Sequence, residues 1–238
     1  MASQKYADFL QLLIKAEASD SDDIIGDKKL TTEEIAAQGI IFIIAGYETT
    51  SSTLQFLFYE LSRNQDVQDR LVSEIESVLK EDEEPDYDAC KRFKYMEAVI
   101  NETLRIYPPV HLLTRRAVVD TTLAGRPVPA GTAILFPTAN IGRDPEFFPE
   151  PDIFKPERFF DEPRNTIDPV TFLPFGYGPR QCIGLRLAMM EMKIALVHIL
   201  RKVRVIGATP KTLELEDYTG VLVPKVPVQL HLQAVNRT

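Results

Sequence analysis

The sequence predicts a mainly α-helical fold with a small β-sheet component, and three observations carry that expectation. Between Thr32 and about Arg63 no proline interrupts an apolar run, so one helix of roughly 30 residues, about 45 Å at 1.5 Å per residue, fits. Two further segments, Asp66–Lys80 and Phe93–Tyr107, repeat apolar residues at helical spacing. From Val110 to Ile134 the pattern changes to alternation punctuated by Gly125, Pro127, Pro129 and Gly131, which marks short strands and turns.

Taken in order, the acidic stretch Asp20–Lys29 reads as a loop, and Thr31-x-x-Glu34 offers a capping box for the long helix. In Asp66–Lys80 the apolar positions 67, 71, 72, 75, 78 and 79 form one face. The run Glu81-Asp82-Glu83-Glu84 before Pro85 ends that helix as a solvated loop. Pro108-Pro109 stops the next helix, because neither residue can donate the following backbone bond. Pro137–Pro174 is proline-rich and irregular, and so long a connection usually serves or covers a site. A last helix is expected from about Ile183 to Val203, with Gly207 and Pro210 beyond it, and Leu213–Leu232 reads as a hairpin.

Composition narrows the function classes. The 238 residues are 45% apolar and 26% charged, enough for a real core in one domain. A formal charge of −8 argues against a nucleic-acid partner. Two cysteines, Cys90 and Cys182, are too few for a disulfide framework, a four-thiolate zinc site or an iron–sulfur cluster. No basic region leads into an apolar stretch near Met1, and the densest apolar run, Ile40–Gly46, is far short of the roughly 18 residues a spanning helix needs. The chain as given is therefore expected to be soluble or at most peripheral.

The sharpest feature is Phe175-Gly176-Tyr177-Gly178-Pro179-Arg180-Gln181-Cys182-Ile183-Gly184. A cysteine where a helix begins feels exposed N–H groups and the positive end of the dipole, which favour thiolate, the metal-binding form. Arg180 adds a positive charge two residues away, and the glycines let the backbone turn tightly and approach a flat partner. An anion nest at Gly176–Arg180 is the weaker reading, since Pro179 removes one donor and leaves the cysteine idle.

Phe175-x-x-Gly178-x-Arg180-x-Cys182-x-Gly184 resembles the haem-thiolate signature of the cytochrome P-450 family. The resemblance implies that Cys182 is the axial ligand of haem b iron, that Arg180 pairs with a propionate and that Phe175 shields the sulfur. A thiolate ligand pushes electron density toward iron and favours O–O cleavage. In the middle of the long helix, Ala45-Gly46-Tyr47-Glu48-Thr49-Thr50 is similar to the family's oxygen-activation motif, in which the helix opens locally beside the cofactor. That likeness implies that Ala45 lies against the haem and that Glu48 and Thr49 deliver protons. On the residues alone, a mid-helix threonine that merely bends the helix is an equal reading.

Glu102 and Arg105 stand three apart on one helix face and by themselves form only an ordinary ion pair. Pro156-Glu157-Arg158-Phe159 resembles the family's second arginine motif, so Glu102, Arg105 and Arg158 are implied to form one buried structural network. By the same resemblance Arg115 meets a propionate. Ile41, Ile44, Val110, Leu112, Leu113, Val221 and Leu222 would then wall a substrate cavity, although simple core is an equal reading for apolar residues. The three histidines show no metal-site spacing. Between Arg180 and Arg204 six basic residues face one acid, Glu191, and read as a solvated helix face or a docking surface for an acidic electron donor.

The likeness runs nearly end to end, and the Ala45–Thr50 form is similar to the clan of the 3A subfamily and thromboxane synthase. Family members are about twice this long, so residues 1–238 are expected to be a single partial domain, the haem-binding C-terminal half of the catalytic domain. The implied function is monooxygenation of an apolar small molecule (steroid, lipid or xenobiotic-like). Electrons would come from NADPH through a cytochrome reductase, with a cytochrome b-type donor as a further partner. The implied location is the cytosolic face of the endoplasmic reticulum, with membrane association through the absent N-terminal part. A truncated, catalytically incompetent fragment or isoform is the alternative.

Overall fold

The capping box at Thr31 forms as its spacing predicts. In the computed structural model, which describes residues 9–15, 30–218 and 220–235, the Thr31 amide donates to Glu34 Oε2 at 2.9 Å and the Glu34 amide to Thr31 Oγ1 at 3.2 Å. Helix α1 spans Phe9–Lys15 and helix α2 spans Thr32–Arg63. The expected loop at Asp20–Lys29 lies outside the described residues. The chain divides into two units, Met1–Glu48 and Thr49–Thr238, with the boundary inside α2. Within the first unit the rings of Phe9 and Phe42 meet at 4.1 Å.

The second unit is built on helices α3 (Gln65–Val78), α4 (Tyr87–Arg92) and α5 (Lys94–Ile106), the single turn α6 (Thr138–Ile141), and α7 (Leu185–Leu200). Its buried cluster takes Phe56, Leu57 and Leu61 from α2, Leu71 and Ile75 from α3, Met96, Val99 and Ile100 from α5, and Met192, Leu196 and Leu200 from α7. These positions recur three or four residues apart, so each helix turns one apolar stripe inward. Each fully buried large side chain contributes about 1.5–3 kcal/mol. Helix starts are satisfied by carboxylates. Asp86 accepts from the Ala89 amide at 2.7 Å, and Glu74 of α3 accepts from the amides of Tyr95 and Met96 at 2.7 and 2.8 Å, capping α5 from its neighbour.

The small β component takes the form, among the described residues, of four two-stranded antiparallel ribbons. Strand β1 (Leu113–Arg116) pairs with β4 (Ala133–Phe136), and β2 (Thr121–Leu123) pairs with β3 (Arg126–Val128). Gly125 and Gly131, at φ +77° and +84°, make the turns of this region. The stretch between Pro137 and Pro174 is irregular as expected, holding α6 and two short 3₁₀ turns.

Two expectations near the C-terminus are corrected. Helix α7 ends at Leu200, not Val203, because Val203–Thr209 forms strand β5. Gln68 fixes that change by accepting from the Val205 amide at 2.8 Å and donating to the Val205 carbonyl at 2.9 Å, so a buried backbone unit is satisfied by one buried amide side chain. The expected hairpin over Leu213–Leu232 is confined to β6 (Leu215–Tyr218) and β7 (Val221–Pro224). Strand β8 (Gln229–Ala234) leaves it and pairs with β5.

Candidate functional site

The loop before α7 is closed by its own backbone. The Gly176 amide donates to the Leu173 carbonyl at 3.0 Å, Gln181 to Gly178 at 3.0 Å, and Cys182 to Phe175 at 2.8 Å. Gly176 and Gly178 sit at φ +70° and +79°, a region that disfavours side chains, so both turns require glycine. Cys182 emerges as an exposed thiol immediately before the start of α7, while the other cysteine, Cys90, is buried. A Cβ at Gly184 would meet Cys182 Sγ at 3.8 Å, an ordinary contact. Glycine there is thus not demanded by the sulfur.

Beside the thiol, Ile183 is 85% exposed and Leu187 49% exposed. Arg180 and Arg115 are exposed. Among the described residues neither has an acidic partner; Arg115 donates only to the Thr114 carbonyl, at 2.8 Å. An exposed sulfur, an uncovered apolar surface next to it and two uncommitted guanidiniums suit a flat apolar group that carries carboxylates and takes one axial ligand. Haem fits these residues. Cys182 would hold the metal, and Arg180 and Arg115 would meet the carboxylates. Phe175 is half-buried and packs against the main core.

Strand β1 reaches the loop, since a Cβ at Gly176 would lie 3.9 Å from Leu113 Cδ1. The tip of the β6–β7 hairpin is tied to the segment after α5 by the Leu222 amide, which donates to the Pro109 carbonyl at 2.8 Å. It is tied to α2 by Ser52 Oγ, which donates to the Leu222 carbonyl at 2.7 Å. Val110 joins the same region, its carbonyl accepting from Thr138 Oγ1 at 2.8 Å. Val110, Leu113, Val221 and Leu222 are half-buried and Leu112 is exposed. Thr49 is half-buried, and its carbonyl accepts from Thr53 Oγ1 at 2.8 Å. On the first unit's part of α2, Ile41, Ile44 and Ala45 are exposed and Glu48 is half-buried. Through Ala45–Thr50 the helix is continuous, without the local opening the resemblance implies.

Glu102, Arg105 and Arg158 come together. Arg105 Nε and Nη2 each donate to one oxygen of Glu102 at 2.8 Å, a bidentate pair with both side chains 0% exposed. Arg158 Nε donates to Glu102 Oε1 at 3.3 Å and the Lys155 amide to the same oxygen at 2.9 Å. Arg105 Nη1 donates to the Gly142 carbonyl at 2.8 Å. Sequence reading missed Gly142, whose added Cβ would stand 2.8 Å from the Arg105 backbone oxygen. Gly142→Ala is therefore expected to push α6 from α5 and lower stability by about 1–3 kcal/mol. Chemical denaturation checks this, and unchanged stability would show that the two backbones separate freely.

Two buried charge clusters also went unread. Lys193 of α7 is buried and donates to Glu97 Oε2 and to the Cys90 carbonyl, both at 2.9 Å, with Arg164 on the other Glu97 oxygen at 3.0 Å. Burial alone would raise the Glu97 carboxyl, but the Lys193 hydrogen bond and the Lys193 and Arg164 charges outweigh it and hold the group low. The signal was a lysine inside an apolar helix run. Lys193 is thus not part of a basic surface. Arg201 donates to the carbonyls of Lys80 and Glu83 in the acidic loop after α3, and Arg204 pairs with Asp69. Only Arg180, Arg186 and Lys202 of the expected basic face remain exposed without such ties among the described residues.

The second cluster is Glu60, buried on α2, which accepts from Tyr107 Oη at 2.7 Å. Burial pushes its carboxyl above the ordinary 4.5, further than the Tyr107 hydrogen bond and the Arg63 charge pull it down. The protonated form is the one favoured by folding. Glu60 therefore contributes stability below its unfolded value, and that contribution is lost as pH rises through the folded one. Glu60→Gln, which keeps an acceptor for Tyr107, should gain stability relative to the parent as pH is raised above 4.5. Denaturant midpoints of the two proteins across that range test it, and parallel curves would contradict it.

Cys182, Arg180 and Arg115 fit a haem-thiolate type of protein. The Cytochrome P450 family model matches residues 1–232, and the chain belongs to that family. Among curated relatives, "Cytochrome P450 3A29" of Sus scrofa is 44% identical over 230 residues, covering 96% of this chain and 45% of the relative. "Cytochrome P450 3A5" of Homo sapiens is 41% identical over 232 residues, 97% of this chain and 46% of the relative. "Cytochrome P450 3A27" of Oncorhynchus mykiss is 41% identical over 240 residues, 99% and 46% respectively. The chain resembles the 3A clan and spans about half the length of the curated relatives it matches.

Proposed function

We propose that this chain is the thiolate-bearing part of a haem monooxygenase that inserts one atom of dioxygen into an apolar small molecule of steroid, lipid or xenobiotic type. Residues 1–238 form a single partial domain of that enzyme, its C-terminal half. The observation that supports this best is the exposed Cys182 thiol in a loop whose turns need glycine, with uncommitted Arg180 in the same loop. Bound haem would supply dioxygen activation, with electrons from NADPH through a reductase or a cytochrome b-type donor.

The chain's own residues have separate tasks. Cys182 would supply the sulfur ligand without movement of the backbone-closed loop. Arg180 and Arg115 orient the cofactor through its carboxylates. Thr49 and Glu48 would hold and pass protons, and Ala45 is the helix position that the family resemblance sets against the cofactor. Val110, Leu112, Leu113, Val221 and Leu222 would exclude water and present an apolar wall to substrate, and the family resemblance adds Ile41 and Ile44 to the substrate-facing residues. The parent enzyme belongs at the cytosolic face of the endoplasmic reticulum; among the described residues no helix is long and apolar enough to cross a membrane.

Reconstitution with haem followed by incubation with NADPH, reductase and an apolar steroid tests the proposal. One haem per chain and a hydroxylated product are expected. One haem without product, or a folded chain that takes up no haem, contradicts the proposal and identifies the truncated, catalytically incompetent alternative.

A further inference from the structure

A cavity of about 440 Å³ opens beside the cysteine loop. Phe175, Gly176 and Gln181 contribute to its wall, but Cys182 does not. Its volume lies within the range of small-molecule sites. The charges around it contrast with the whole chain, which carries −8. Lys91, Lys94, Arg164, Arg186 and Lys193 line the cavity against one acid, Glu97.

Glu97 is already matched, by Lys193 at 2.9 Å and Arg164 at 3.0 Å. Lys91 is tied to Asp88 at 2.8 Å. Lys94 and Arg186 are exposed and make no hydrogen bond or salt bridge among the described residues; the Lys94 charge adds to those that hold Glu97 low, and with five cations to one acid the lining keeps a surplus of positive charge. The lining also carries apolar side chains, Phe172, Leu185, Met189 and Met190. Methionine side chains adapt to varied apolar shapes. A bare inorganic anion would leave those apolar side chains unused, and a neutral apolar molecule would leave the surplus of positive charge unmatched.

We propose that this cavity is a second ligand site, separate from Cys182, that takes an amphipathic monoanion: a carboxylate seated toward Lys94 and Arg186 with an aliphatic or aromatic body against the apolar side chains. The proposal stands independently of haem binding, because every residue it uses belongs to the chain itself. Decanoate is a suitable probe, titrated calorimetrically into the full chain, with decanol as its neutral counterpart and Lys94→Gln/Arg186→Gln as the variant. Both substitutions fall on exposed cations outside the core, and circular dichroism verifies that the variant is folded.

Decanoate is expected to bind saturably at one per chain, at least tenfold more tightly than decanol and at least tenfold more tightly than to the variant. Added salt should weaken it. Absence of saturable binding, equal affinity for decanol, or equal affinity in the folded variant would each overturn the proposal. Neutralising Lys94 and Arg186 leaves Cys182, Arg180 and Arg115 intact, so failure here is distinguishable from failure of the haem reading.

Discussion

Glu102→Ala is expected to destabilise the protein by about 3–5 kcal/mol, because it removes the only acid in a buried network and leaves a fully buried guanidinium uncompensated. Arg105 has its remaining polar contacts with the carbonyls of Gly142 and Ile153, which satisfy its protons but not its charge. Arg158 and the Lys155 amide lose the same oxygen. For a protein of this size the change corresponds to a melting temperature lower by roughly 10 °C. Glu102→Gln separates the causes: it retains an acceptor but not the charge, and should recover only part of the loss. A Glu102→Ala protein that melts with the parent would remove the network from the account of what holds α5 against the following irregular segment.

Cys182→Ala has the opposite profile. The loop is closed by backbone bonds from Gly176, Gln181 and Cys182 itself, none of which needs the sulfur, and the side chain is exposed. The substitution should therefore leave stability within about 0.5 kcal/mol of the parent, as for surface positions generally. Metal ligation should be lost entirely, since Cys90, the other thiol, is buried beneath Lys193 on another element and its proton is held more firmly by burial. Thermal melts and haem titration of the variant measure the two effects separately. A large loss of stability, or undiminished thiolate ligation, would contradict the assignment.

What could be read from sequence was local. The capping box at Thr31, the stop at Pro108-Pro109 and the glycines at 176 and 178 each act within a few residues, and each shows in the structure as its spacing suggests. The Glu102–Arg105 spacing gave a pair but not its burial, which depends on Lys155 and Arg158 some fifty positions away. Strand β5 was hidden because its cause is nonlocal: Gln68 binds both backbone groups of Val205 across 137 positions. Helix α4 is only six residues long, and its one signal, Asp86 capping Ala89, follows an acidic run that masks it. Lys193 was misread as surface because charge was counted without its partners, Glu97 and the Cys90 carbonyl.

The central claim, that Cys182 gives this chain a haem-thiolate centre, is tested most directly by the absorption spectrum of the haem-reconstituted chain after reduction and exposure to carbon monoxide. A strongly red-shifted Soret band is predicted for the parent, because an anionic sulfur axial ligand donates far more electron density than a neutral imidazole. A haem-loaded, folded parent whose band stays at the position given by nitrogen ligation, or matches that of Cys182→Ala, would contradict it.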